Sequence, residues 1–175
     1  MKKTIFKFGL FLLAVLLPTG CSSDEEEIKG VVIEEINCGN ELSQFLNEHL
    51  PMAAAGMPSF FYDKEGSKVH NILTINSKEE FSEIFPEFDT AFLSIDFSKN
   101  TLVIGHKSYA SNIGDKHPDS LERKRLYRSE DGYIIDLKYT YTIIKTGLCQ
   151  LEYVNFWGVY PKLQAIPFSI NLIFE

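Results

Sequence analysis

Cysteine, histidine and tryptophan are scarce: a chain of 175 residues has 3 Cys, 4 His and 1 Trp. His49, His70, His106 and His117 stand far apart and form no H-x-H or H-x-x-x-H pair. Neither Cys38 nor Cys149 has a second Cys or His at ligand spacing, so no metal site is expected. There is no G-x-S-x-G nucleophile turn and no glycine-rich loop to cradle phosphate, so no catalytic residue stands out and no cofactor is expected. Acidic residues are plentiful, but carboxylates that can be paired anywhere specify nothing. Basic residues are few, 17 Lys+Arg against 24 Asp+Glu. A chain with that balance repels nucleic-acid phosphates and anionic headgroups. Long apolar runs are also missing. The longest, Phe8 to Leu17, makes a helix of about 15 Å, half of a hydrocarbon core of about 30 Å, which disfavours a spanning anchor.

What the N-terminus does have is order. Basic Lys2 and Lys3 precede the apolar run, and small residues follow in Leu17-Pro18-Thr19-Gly20-Cys21. That is the charged, apolar and cleavage sequence of a secretory signal. A Gly directly before a Cys at the end of such a run resembles a lipobox, with Leu17 four residues before the cysteine and Pro18 three before it. The resemblance implies cleavage of residues 1–20 and lipid attachment at Cys21, a diacylglyceryl group on the thiol and often an acyl chain on the new N-terminus. Loss of Lys2, Lys3 and Lys7 with the leader would leave 14 basic against 24 acidic residues, a formal balance of −10.

The acidic stretch Ser22-Ser23-Asp24-Glu25-Glu26-Glu27 then forms a tether over 21–28. It resembles the lipoprotein export signal of Bacteroidota, which implies the outer face of the outer membrane; the periplasmic face is the alternative. Four consecutive acids beside an anionic bilayer favour the first. If Cys21 carries lipid, Cys38 and Cys149 remain as an even pair in an oxidising compartment, and a Cys38–Cys149 disulfide is expected, with two buried thiols as the other outcome.

Residues 29–175 have the length of one domain with a single core. Hydrophobic residues at 45% and aromatics at 13% suffice to pack it, which excludes disorder beyond the tether. Residues 29–37 favour a first strand. Asn40 is read as the cap of a helix to Leu50, with Leu42, Phe45, Leu46 and Leu50 at helical spacing. Phe60-Phe61-Tyr62 and Val69 to Ile75 read as a hairpin over Asp63–Gly66. Ser77-Lys78-Glu79-Glu80 matches a capping box, opening a helix that buries Phe81, Ile84 and Phe85 before Pro86. Further on the period becomes two. Strands are expected at Leu102–Tyr109, Leu121–Arg128, Tyr133–Ile143, Cys149–Val159 and Phe168–Phe174, with Asp131-Gly132 turning the second into the third. The sum predicts an α+β fold, a mainly antiparallel sheet with two short helices on one face.

Residues 72–165 bear a further resemblance. The capped helix Ser77–Phe85, the run Ser94-Ile95-Asp96-Phe97-Ser98-Lys99-Asn100 into an apolar strand, and Val159-Tyr160-Pro161-Lys162 are similar to the C-terminal domain of the protease-complex B-subunit family. That resemblance implies a non-catalytic accessory or binding domain. Aromatics concentrate late in the chain, and Tyr153, Trp157 and Tyr160 are the candidate binding residues for a protein or glycan partner. The expectation is therefore a lipid-anchored binding or accessory module, with an exported hydrolase of dispersed active site as the alternative.

Overall fold

The computed structural model describes residues 30–51, 53–54, 58–62, 71–112, 114–145 and 150–175. The leader 1–20, Cys21, the tether 21–28, His70 and Cys149 lie outside the described residues. In chain order the elements are β1 (Val31–Ile33), α1 (Asn40–His49), β2 (Ala53–Ala54), β3 (Ile72–Ile75), α2 (Lys78–Ile84), β4 (Asn100–Ser111), β5 (Lys116–Arg128), β6 (Tyr133–Ile143), β7 (Gln150–Pro161) and β8 (Phe168–Phe174). Two 3-10 turns, Ser59–Phe61 and Thr90–Phe92, join them.

The fold is α+β. Its strands divide into two four-stranded sheets rather than the one sheet expected: β1-β5-β6-β8 and β2-β7-β4-β3. All pairings are antiparallel except β6 with β8, which are parallel because the chain leaves the first sheet to form β7 in the second before returning. The period-two pattern of β4 and β7 explains why both faces of the second sheet are covered. Leu102, Ile104 and Val159 pack with Leu42, Leu46, Phe81 and Phe85 of the helices, in one apolar cluster. Val103, Val154, Phe156 and Tyr160 point the other way and pack with Leu126, Ile135, Leu137 and Tyr139 of the first sheet. Three layers result, with the β4–β7 sheet in the middle.

Local chemistry accounts for the element ends. Ser77 Oγ accepts from Glu80 N at 3.1 Å, and the Glu80 carboxylate accepts from Asn76 N at 2.6 Å, so the box closes one residue earlier than the standard form. In α1 the cap is Gly39, not Asn40, which is the first helical residue. Gly39 N donates to Asn37 Oδ1 at 2.9 Å, an Asx turn that sets the approach to the helix. Of the expected hairpin between 60–62 and 69–75, the turn 63–70 lies outside the described residues; Ser59–Phe61 is a 3-10 turn that buries Phe61, and β3 pairs with β4. The β5–β6 hairpin turns where expected. There Gly132 has φ 154°, and a Cβ would sit 2.4 Å from Pro167 O, so only glycine fits.

Of the two cysteines expected to pair, Cys38 is a buried free thiol with Sγ 3.5 Å from Ser43 Oγ. Its expected partner, Cys149, lies outside the described residues.

Candidate binding groove

Side chains from α1, β5 and β7 meet around Trp157. Trp157 lies on β7, in the alternation that faces the helices, and is half-buried. Its indole Nε1 donates to Asn47 Oδ1 on α1 at 3.0 Å, which fixes the ring plane. From the first sheet, Lys124 occupies a position on the inward alternation of β5, opposite Leu137. An amine cannot remain there without partners, so its stem crosses the gap between layers. Nζ donates to Trp157 O and to Glu35 Oε1, the latter at 2.8 Å, and sits 5.4 Å from the indole centroid.

These side chains border a cavity of about 340 Å³ lined by Asn47, Leu50, Leu121, Lys124, Asn155, Phe156 and Trp157. It opens along the edge of β7, between the point where Ala53 and Ala54 pair with Val154 and Tyr153 and the point where Ile36 N donates to Val159 O at 2.7 Å. On the other side of the indole a second hollow of about 310 Å³ is lined by Glu35, Ile36, Asn37, Cys38, Ser43 and Trp157. Trp157 is thus a wall shared by two concavities. The groove walls are mainly apolar, with polar groups at fixed points. Asn155 is one of these: it is 3% exposed, donates through Nδ2 to Pro51 O at 2.8 Å, and leaves Oδ1 buried without a hydrogen-bond partner among the described residues. An unsatisfied buried acceptor costs about 1–3 kcal/mol.

The three aromatics proposed from sequence do not share a surface. Tyr153 and Trp157 occupy one face of β7, Tyr153 packing edge-on against His106 with ring centroids 5.7 Å apart. Tyr160 falls on the opposite alternation and is buried between the sheets at 2% exposure, so it is removed from the candidate binding residues. Burial, with a smaller contribution from Glu35, pushes its phenol well above the ordinary tyrosine range.

A second polar assembly links residues that are far apart in sequence. Glu152, buried on the inward face of β7, accepts from Tyr109 OH at 2.5 Å and meets His117 Nε2 at 2.8 Å. The other ring nitrogen, Nδ1, lies 2.9 Å from Pro118 O. Burial first, and the Glu152 carboxylate second, raise the Tyr109 phenol. Tyr139, fully buried nearby, is raised by burial to about 12. Spacing could not have revealed the meeting of His117 and Glu152, which lie on β5 and β7. One sign was present, however: in Glu152, Val154, Phe156 the carboxylate stands in the same alternation as two core residues. The same holds for Lys124, two positions before the buried Leu126.

Among the described residues no group of three or more His, Cys, Asp or Glu could hold a metal ion, and no helix is long and apolar enough to cross a membrane. No family model, curated protein or solved structure matches the chain.

Proposed function

We propose that the chain is a lipid-anchored cell-envelope protein whose domain binds a partner, protein or glycan, in the Trp157 groove and carries out no chemistry on it. The observation that carries this reading is the combination at one edge of β7 of a half-buried indole, mainly apolar walls and a few fixed polar side chains, Asn47, Lys124 and Asn155. A ligand with a flat apolar body and a polar rim matches those features, as aromatic platforms with a few placed polar groups do in general. The groove's charged groups are engaged with each other, Lys124 with Glu35 at 2.8 Å, which suits them to shaping a wall rather than moving protons. His117 has one ring nitrogen on Glu152 and the other against Pro118 O, and His49 has one on Glu87 and the other against Phe45 O, so the ring nitrogens of both are engaged within the fold. The lipobox-like Gly20-Cys21 and the acidic tether support the envelope address, and the resemblance of residues 72–165 to an accessory domain agrees with the role.

The test is recovery of partners from detergent-solubilised envelopes by the full chain and by a Leu121→Asp variant. Leu121 lines the groove at 36% exposure, so a carboxylate there blocks entry while sparing the core. Partners retained by the native chain and lost by the variant support the reading; identical recovery by both overturns it. The anchor is checked separately, by incorporation of a fatty-acid probe into the native chain and not into Cys21→Ser.

A further inference from the structure

The edges of the two sheets are treated unequally. β1, at one edge of the first sheet, is only three residues long. The exposed edge of β7 is interrupted by β2, by Ile36 and by the Lys124 ammonium on Trp157 O. Short strands and inward-reaching charges are the usual protections against edge-to-edge pairing. β8 has one such protection, the Lys116 ammonium on Phe174 O at its C-terminal end, and none along the rest of its length. Its seven residues, Phe168-Ser169-Ile170-Asn171-Leu172-Ile173-Phe174, include no charge and no proline, and their register with β6 is unbroken.

Main-chain geometry fixes which groups face outward. Tyr133 N donates to Pro167 O at 2.8 Å, and Glu175 N donates to Tyr139 O at 3.1 Å. The odd-numbered residues of β8 therefore direct their N–H and C=O toward β6, and the even-numbered ones direct theirs away. Of the outward groups, Phe174 O accepts from Lys116 Nζ at 3.2 Å. Among the described residues no hydrogen bond reaches the outward groups of Ile170 or Leu172. The side chains at the same even positions, Phe168, Ile170, Leu172 and Phe174, pack on the intersheet core but remain half-buried.

We infer that β8 is a dimerisation edge, and that its occupant is the β8 strand of a second copy running antiparallel about Asn171. A free row of N–H and C=O groups selects an extended backbone as its partner. The self-complementary register selects this one. Centred on Asn171, it sets Ile170 opposite Leu172 and Phe168 opposite Phe174, apolar against apolar on the inner face. The outward N–H and C=O groups of each pair face each other, as hydrogen-bonded antiparallel pairs require. Asn171 meets its own copy at a non-hydrogen-bonded position, where Cα atoms approach to about 4.5 Å. Because the strand carries no charge, two chains that are both net negative can meet here without like charges in contact. The one flanking acid, Glu175, is paired with Lys138 at 2.5 Å. Joining the edges would yield a continuous eight-stranded sheet across a twofold axis.

The experiment uses the full chain in detergent. Sedimentation should show a dimer. Asn171→Cys should form a disulfide-linked dimer on mild oxidation, seen on a non-reducing gel, whereas the native chain and Ser169→Cys should not, since residue 169 would face residue 173 of the other copy. Asn171→Lys, which in the monomer places an ammonium beside Asp136, should weaken self-association severalfold with the circular dichroism melt unchanged. A monomer at all concentrations overturns the inference. So does a dimer that ignores both substitutions at 171, or a disulfide adduct of the Asn171→Cys variant with a different protein.

Discussion

Lys124 and Trp157 belong to different sheets, yet the lysine ammonium donates to the tryptophan carbonyl and stands 5.4 Å from the indole centroid. This contact ties β5 to the edge of β7 and holds open the groove between them. Its side chain is only 14% exposed, so replacing Lys124 with Met removes charge-assisted hydrogen bonds in a partly dry setting and leaves Glu35 without its cation. The expected loss is about 1–3 kcal/mol in urea unfolding. Because Trp157 is the sole tryptophan, its emission should also shift in the folded variant, and an unchanged spectrum would contradict the contact.

Glu152 holds Tyr109 and His117 together at 2.5 and 2.8 Å. Glu152→Ala strips both of their partner inside the fold and should cost about 2–4 kcal/mol. Tyr109→Phe removes one hydrogen bond and should cost about 1 kcal/mol. Calorimetric unfolding of the two variants checks the order, which reverses if Glu152 is instead solvated.

Tyr139 has a fully buried hydroxyl with no hydrogen-bond partner, and burial raises its pKa to about 12. The unfolded chain loses this proton near pH 10 and the folded chain only near 12. The contribution is therefore fully present below pH 10 and is lost as pH rises through that window, by about 3 kcal/mol in all. Tyr139→Phe should flatten that alkaline loss and, by removing an unsatisfied group, leave neutral stability equal or higher. Denaturant midpoints at pH 7, 10 and 11.5 measure both effects.

Gly105 on β4 lies beneath the Phe156 ring, and a Cβ there would come within 2.2 Å of Phe156 Cζ. Gly105→Ala should therefore displace the ring and cost about 1–3 kcal/mol, the range for overpacking a core. A paired Phe156→Leu substitution should relieve part of it, measurable as non-additivity in a double-mutant cycle.

Cys38 is 4% exposed and unbridged. In the native protein it should resist alkylation, and in denaturant without reductant it should react at once. Mass spectrometry of the unreduced chain checks this, and a Cys38–Cys149 bridge would overturn the free thiol.

How far the sequence reaches can be judged from particular residues. Local chemistry wrote the capping box at Ser77, the Asp131-Gly132 turn and the alternation of Ile135, Leu137 and Tyr139, because each depends on neighbours a few positions away. The α+β class followed from those. The division into two sheets did not, since Tyr133–Ile143 and Gln150–Pro161 have the same period whichever sheet receives them. Nor did the site. Trp157 stands out by its aromaticity, but Asn47, Leu121, Lys124 and Asn155 acquire a role only when α1, β5 and β7 meet. Tyr160, three residues from Trp157, shares its aromatic character and yet falls on the opposite face by strand alternation.

The amino-acid order alone thus determined periodicity, capping, turns and the unbalanced charge, all set by near neighbours and composition. Only the packed tertiary structure decided that Cys38 is buried against Ser43, that His117 shares a carboxylate with Tyr109, and that β8 ends a sheet. Those outcomes depend on which distant strands lie side by side, and long-range pairing leaves no local trace in the chain.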